Sequence, residues 1–234
     1  MSTPDEQKKA AGEAAAALVS DGMTLGLGTG STAAHFVAAV GRRAAQEGLK
    51  LRCVPTSTAT EAQARALGLP IVDLNDAGVI DLCVDGADEI GPGLALIKGG
   101  GAALLREKLV WEASRRCVVI ADAAKSVQTL GKFPLPVEVV SFGHITTAKR
   151  IKAAAASVGV NVEPRWRIRD GQPVTTDTGQ LIYDLDCVAI HDPEALAKAL
   201  KAVTGVIEHG LFLGLADEAL VGEATGVTRL SRSN

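Results

Sequence analysis

Four short stretches carry side chains that could do chemistry, and each sits where an apolar run meets a turn or a helix. Glu107 is the most informative single residue. On a helix, its neighbours three and four positions away are Ala103, Leu104, Val110 and Trp111, all apolar. Glu112, by contrast, keeps company with Lys108, Leu109, Arg115 and Arg116 and reads as a solvated, paired carboxylate. A carboxylate on a buried stripe holds its proton more tightly, which suits a general base working near neutrality. The alternative is a structural ion pair with Lys98 or another cation.

The run Asp85-Gly86-Ala87-Asp88-Glu89 follows the apolar IDLCV. A solvated turn or a Mg²⁺ site would also accept such carboxylates. A buried strand running straight into Asp85 aims it at the ligand edge of the sheet and favours a functional role, with Asp88 as its partner. Gly26-Leu27-Gly28-Thr29-Gly30-Ser31-Thr32 joins a strand to a helix and offers backbone N–H groups and hydroxyls to an anion. No Lys precedes Ser31, so it is not a Walker loop, and its third glycine comes one residue early for a dinucleotide fingerprint. A phosphate monoester fits it better than NAD; a plain tight turn with Ser31 as N-cap is the competing explanation. Lys98-Gly99-Gly100-Gly101 precedes AALLREKLVWEA, so N–H groups and a movable positive charge meet at a helix start.

The elements that must position these groups alternate. Helices are predicted over 4–19, 31–47, from Thr58 (with Glu61 completing a capping box) and over 102–115. Strands are predicted over 23–27, 49–54, 69–72, 79–84 and 117–121. Repeated β-then-α units imply an α/β fold, a mostly parallel, Rossmann-like sheet flanked by helices, with ligands beyond the carboxyl ends of its strands. After Gly131 the order becomes β-α-β-β-α-β: strands over 135–140, 160–169, 180–188 and 205–211, helices over 145–158 and 193–203. That order predicts an inserted ferredoxin-like α+β subdomain. The expected division is 1–132 with 212–234 as the main domain and 133–211 as the small one, the tail returning to the main sheet as a hairpin.

Composition narrows the function classes. Net charge is −3 and aromatic residues are 3%, so neither a basic stripe nor a base-stacking platform for nucleic acid is expected. Cys53, Cys83, Cys117 and Cys187 form no CxxC pair, and His35, His144, His191 and His209 share no ligand spacing, so no metal is expected. No GxSxG elbow supports a serine hydrolase. The N-terminus has no basic region leading into an apolar stretch, and no apolar run reaches the roughly 18 residues of a membrane span. A cytoplasmic protein without membrane contact is expected.

The stretches GLGTGSTAAHF, DGADEI, KGGGAALLREKL, IADAAKSVQTLGKFPLPVEVV, GQLIYDLD and GVIEHGLF together resemble the ribose-5-phosphate isomerase A family over nearly the whole chain. The resemblance implies interconversion of D-ribose 5-phosphate and D-ribulose 5-phosphate without cofactor or metal, in a homo-oligomer, dimer or tetramer. It implies Glu107 as catalytic base, with Asp85, Asp88 and Lys98 assisting ring opening and polarising the sugar. Thr29, Gly30, Ser31, Thr32, Gly86, Ala87, Gly99, Gly100 and Gly101 match substrate-binding loops. Lys125 matches a substrate-contacting lysine, and Lys8 a phosphate-contacting one. A sugar-phosphate sensor would come with a DNA-binding segment, and an amino-sugar phosphate deaminase or a CoA transferase would lack the joint DGAD, KGGG and Glu107 set.

Overall fold

A computed structural model describes residues 2–232. The chain folds as two compact units. The first comprises Met1–Ala87, Arg106–Ser126 and Gly214–Asn234; the second comprises Asp88–Leu105 and Val127–Leu213. The sequence places the small subdomain over 133–211 alone, whereas the second unit also takes in 88–105, 127–132 and 212–213.

The first unit contains α1 (Pro4–Ala16), β1 (Thr24–Leu27), α2 (Ser31–Glu47), β2 (Arg52–Pro55), α3 (Thr58–Ala66), α4 (Leu74–Ala77), β3 (Leu82–Gly86), β6 (Cys117–Asp122), β14 (Glu218–Glu223) and β15 (Gly226–Ser231). Among the described residues its strands form one sheet in the order β15-β14-β6-β3-β1-β2. All neighbours run parallel except the β14–β15 hairpin. The chain leaves β1 for β2 on one side and then returns to β3 on the other. The strand order therefore reverses at the β1–β3 pair, where ligands of such sheets bind.

Local chemistry explains the helices. Thr3 caps α1, with Glu6 closing a capping box and Pro4 in the first turn. Its buried face is Ala11, Gly12, Ala15 and Ala16, small enough to lie close against α2. The core beneath includes Leu25, Leu27, Phe36, Val40, Val84, Val118 and Ile120. Burying a side chain such as Phe36 contributes about 1.5–3 kcal/mol. The cap of α3 is Ser57, whose hydroxyl accepts from Thr60 N–H, and not the predicted Thr58. The predicted strand over 69–72 is reduced to one bridge, Cys53 to Ile71.

The second unit contains β4 (Glu89–Ile90), β5 (Leu96–Ile97), β7 (Leu135–Val139), α6 (His144–Ser157), β8 (Arg165–Trp166), β9 (Ile168–Arg169), β10 (Gln172–Pro173), β11 (Leu181–Leu185), α7 (Pro193–Lys201), β12 (Val206–His209) and β13 (Leu211–Phe212). Its antiparallel sheet runs β12-β7-β11-β8. Fourth strand beside first and third between first and second is the ferredoxin-like order that the sequence predicts. The predicted strand over 160–169 is instead two short pieces, β8 and β9. The predicted strand over 205–211 also divides, because β13 joins β5 and β4 in a separate small sheet. Helix α5 (Leu104–Glu112) begins in the second unit and ends in the first.

Candidate active site

In the first unit two of the sequence motifs meet at the strand-order reversal. Gly28 and Thr29 follow β1, and Asp85 ends the core of β3. The Asp85 carboxylate is fully buried; its Oδ1 accepts from Thr29 N–H at 2.9 Å and from Gly86 N–H at 2.7 Å. Gly28 is required here, because a Cβ would overlap both the Asp85 backbone and its carboxylate. Ionised carboxylates accept strong hydrogen bonds from backbone N–H groups, so the loop between β1 and α2 and the acid are locked to each other.

The loop leads into α2. Its N-cap is Gly30, at φ +105, and no side chain caps the helix, so Ser31 is the first helical residue and not the cap. Ser31 is exposed and Thr32 buried. The first-turn N–H groups of a helix lack intrahelical acceptors and carry its positive pole, which suits an anion. Thr29 behaves differently. Its hydroxyl lies among Thr56 Oγ1 (2.7 Å), Ser57 Oγ (2.8 Å) and Thr60 Oγ1 (3.2 Å). Thr60 in turn donates to Gly28 O at 2.9 Å. This hydroxyl cluster braces the loop from below. Sequence reasoning missed it, although the run Thr56-Ser57-Thr58 directly after β2 was the available signal.

Helix α5 is laid against the same sheet, with Val110 packed over Gly26 and Cys83. Glu107 lies in its first turn and is 4% exposed. Ala103, Leu104, Val110 and Trp111 are all buried, as the spacing predicts, and Glu112 is exposed. Lys8 is half-buried on α1, and Lys125 half-buried in the short turn after β6. Gln7 Oε1 accepts from Ala123 N–H at 3.3 Å, which ties the two lysine-bearing segments together.

The second unit carries Asp88, Lys98 and the glycines. Asp88 Oδ2 accepts from Gly100 N–H at 2.8 Å. Lys98 is 2% exposed, and its Nζ lies 5.4 Å from the Phe212 ring centroid, within cation–π range. Glu89, the third acid of DGADE, has a separate role. Its oxygens accept from Gly131 and Phe133 N–H at 2.7 and 2.6 Å, fixing the 131–133 loop. Glu138 is wholly buried on β7, and burial pushes its carboxyl up, opposed by hydrogen bonds from Thr176, Thr178 and the Leu105 backbone. Glu138 therefore holds the start of α5, the helix that goes on to carry Glu107. Gly101 is exposed. Among the described residues no group of three or more His, Cys, Asp or Glu is arranged to hold a metal ion, and no helix is long and apolar enough to cross a membrane.

Residues 52–226 match the family model described as ribose 5-phosphate isomerase A (phosphoriboisomerase A). The chain is 63% identical over 227 residues to ribose-5-phosphate isomerase A of Caulobacter vibrioides, covering 97% of this chain and 98% of the other. The chain belongs to the ribose 5-phosphate isomerase A family. That makes it an aldose–ketose isomerase. Ribose-5-phosphate isomerase A of Methylorubrum extorquens is 54% identical, covering 97% and 96%. Among solved structures, the Plasmodium falciparum ribose 5-phosphate isomerase superposes with a TM-score of 0.93 at 34% identity, covering 98% of this chain and 100% of that one. A D-ribose-5-phosphate isomerase in complex with phospho-erythronic acid gives 0.91 at 36% identity, covering 99% and 100%.

Proposed function

We propose that this chain interconverts D-ribose 5-phosphate and D-ribulose 5-phosphate by metal-independent proton transfer through an enediolate, in the non-oxidative pentose phosphate pathway. Family membership supports the substrate. The observation that carries the mechanism is Glu107, a carboxylate 4% exposed on an apolar helix face.

Ribose 5-phosphate is mostly a furanose and must open first. Asp85 and Asp88 are the proposed acid/base pair. One carboxylate takes the proton from the C1 hydroxyl while a carboxylic acid gives one to the ring oxygen. Glu107 then removes the C2 proton. Negative charge develops on O1, where the Lys98 ammonium and N–H groups of the glycine loop stabilise it; losing one such donor typically costs about 2.7–4 kcal/mol. Glu107 returns its proton to C1 while a proton passes from O2 to O1, leaving the ketone at C2. One carboxylate serves both carbons because they are adjacent.

The phosphate binds at the α2 N-terminus through Thr29, Gly30, Ser31 and Thr32, with Lys8 and Lys125 as counter-charges. Gly86, Ala87, Gly99, Gly100 and Gly101 line the rest of the sugar site. Anchoring the remote phosphate lets binding energy serve orientation of the reacting carbons. The neighbour bound to a phosphorylated sugar acid supports a site that accepts a phosphate at one end and an anionic carbonyl group at the other. Cytoplasmic location and a homo-oligomeric state are proposed from the family.

The test is ketose formation from ribose 5-phosphate without added cofactor, in wild type and Glu107→Gln. The amide keeps the shape but cannot take a proton, so kcat should fall about 10²–10⁴-fold while KM changes far less. A variant that retains more than about a tenth of wild-type kcat removes Glu107 as the base.

A further inference from the structure

The glycine-rich loop is gripped by Arg167, a residue outside every motif named above. Successive glycines have little intrinsic preference for the direction their peptide planes face, and Gly99 adopts φ +106. Something outside the loop must select one orientation. The peptide between Gly99 and Gly100 is held at both ends. Its carbonyl accepts from Arg167 Nη1 at 2.8 Å, and its N–H donates to Asp88 Oδ2 at 2.8 Å. The same Nη1 lies 3.4 Å from Gly100 O.

Arg167 is itself held. Its Nε donates to Asp184 Oδ2 at 2.9 Å, and Nη2 donates to Oδ1 of the same carboxylate. Both side chains are only 10% exposed. Anion, cation, peptide dipole and anion thus alternate along Asp184, Arg167, Gly99–Gly100 and Asp88. Each link polarises the next. A lysine could not make this contact, because one fork-shaped guanidinium grips a carboxylate with one edge and carbonyls with another nitrogen.

We infer that Arg167 is a positioning residue for the isomerisation. It fixes the glycine-loop peptide and through it the Asp88 carboxylate, and Asp184 fixes Arg167. The inference rests on the role proposed above for Asp88 and the glycine loop. Arg167 also borders a cleft of about 290 Å³ lined in part by Gly100, Phe133, Arg165 and Arg169. A small planar cation can therefore reach the guanidinium position from solvent.

The experiment compares Arg167→Ala, the double variant Arg167→Met/Asp184→Leu and Asp88→Asn, each checked by thermal melting. The double variant removes both charges and so strands no buried carboxylate; it carries the test if Arg167→Ala does not fold. Both Arg167 variants should lose about 10²-fold in kcat, the usual cost of a 1 Å misplacement, with KM little changed. Millimolar guanidinium chloride should restore part of the Arg167→Ala rate, whereas methylammonium and sodium chloride should not. Normal kcat in the Arg167 variants beside an inactive Asp88→Asn overturns the inference alone. An active Asp88→Asn overturns the underlying role of Asp88. A loss confined to KM, a loss that follows the melting temperature and is missing from the double variant, or a rate that guanidinium leaves unchanged makes the ion pair structural only.

Discussion

Substituting Gly28 by alanine isolates the contact that locks the β1 loop to Asp85. The added Cβ would lie closer than 3.0 Å to the Asp85 backbone and carboxylate, a separation that real Cβ atoms essentially never show. Ordinary carbon contacts begin near 3.5–4.0 Å, so the two strand ends must part by roughly 1 Å. The obstacle is partly backbone at the end of a parallel pair, and no rotamer change relieves it. Overpacking of this kind costs about 1–3 kcal/mol. At about 2–4 °C per kcal/mol for a chain of this size, the melting temperature should fall by roughly 2–12 °C. The same shift carries Asp85 away from its Thr29 N–H donor and should lower kcat about 10²-fold. Gly86→Ala is the matched control, because its Cβ meets nothing nearer than Thr29 O at 3.7 Å. By packing alone it should melt like wild type, and any activity it loses reports close approach of substrate. Calorimetry and a continuous ketose assay read both variants. If Gly28→Ala keeps wild-type melting and kcat, the close approach is not what positions Asp85.

Other outcomes follow from the same geometry. Ser31→Asp adds a negative charge at the exposed start of α2 and should raise KM sharply with little change in melting; an unchanged KM removes the phosphate from this loop. Excess EDTA should leave the rate intact, and activity that is lost and then restored by Mg²⁺ or Mn²⁺ would turn the DGADE carboxylates into a metal site. Burial raises the Glu138 carboxyl above its ordinary value of 4.5. The folded state therefore binds that proton more tightly, and its contribution is full below 4.5 and lost as pH rises through the folded value. Urea unfolding between about pH 5 and pH 7 should show wild type losing stability relative to Glu138→Gln, and parallel pH profiles would contradict this. Burial pushes the thiols of Cys53, Cys117 and Cys187 up to about 12, so iodoacetamide should label them in urea far faster than in the native protein.

The sequence was most legible where pattern and packing agree. Helix α2 has the predicted bounds because its apolar period and the Gly30–Ser31 start point the same way, and Glu107 is buried because all four of its helical neighbours are. Legibility failed where the choice was tertiary. Thr58 and Ser57 are equally good caps by type, and the hydroxyl cluster around Thr29 fits Ser57 as the cap. The LPIV run looks like a strand but finds only a single bridge beside β2. Glu89 is indistinguishable from Asp85 and Asp88 in composition, yet it is engaged by Gly131 and Phe133, over 40 residues away. Arg167 falls inside the predicted strand over 160–169 and in no motif, so nothing local announced its hold on the glycine loop.

The parallel pairing of β14 with β6 has a consequence for synthesis. Helix α1 and β6 emerge early, but the strand that packs against both is made only after residues 127–213. Backbone of Gln7 lies directly over Gly222, leaving no space even for a Cβ. At about 5–20 residues per second, the sheet edge formed by β6 would wait several seconds on the ribosome for its neighbour. During that interval an apolar strand edge stands open, a surface that invites pairing with other chains and that trigger-factor-like holding would shield. Limited proteolysis of a released chain truncated after residue 213 should therefore cut the first unit readily and spare the second.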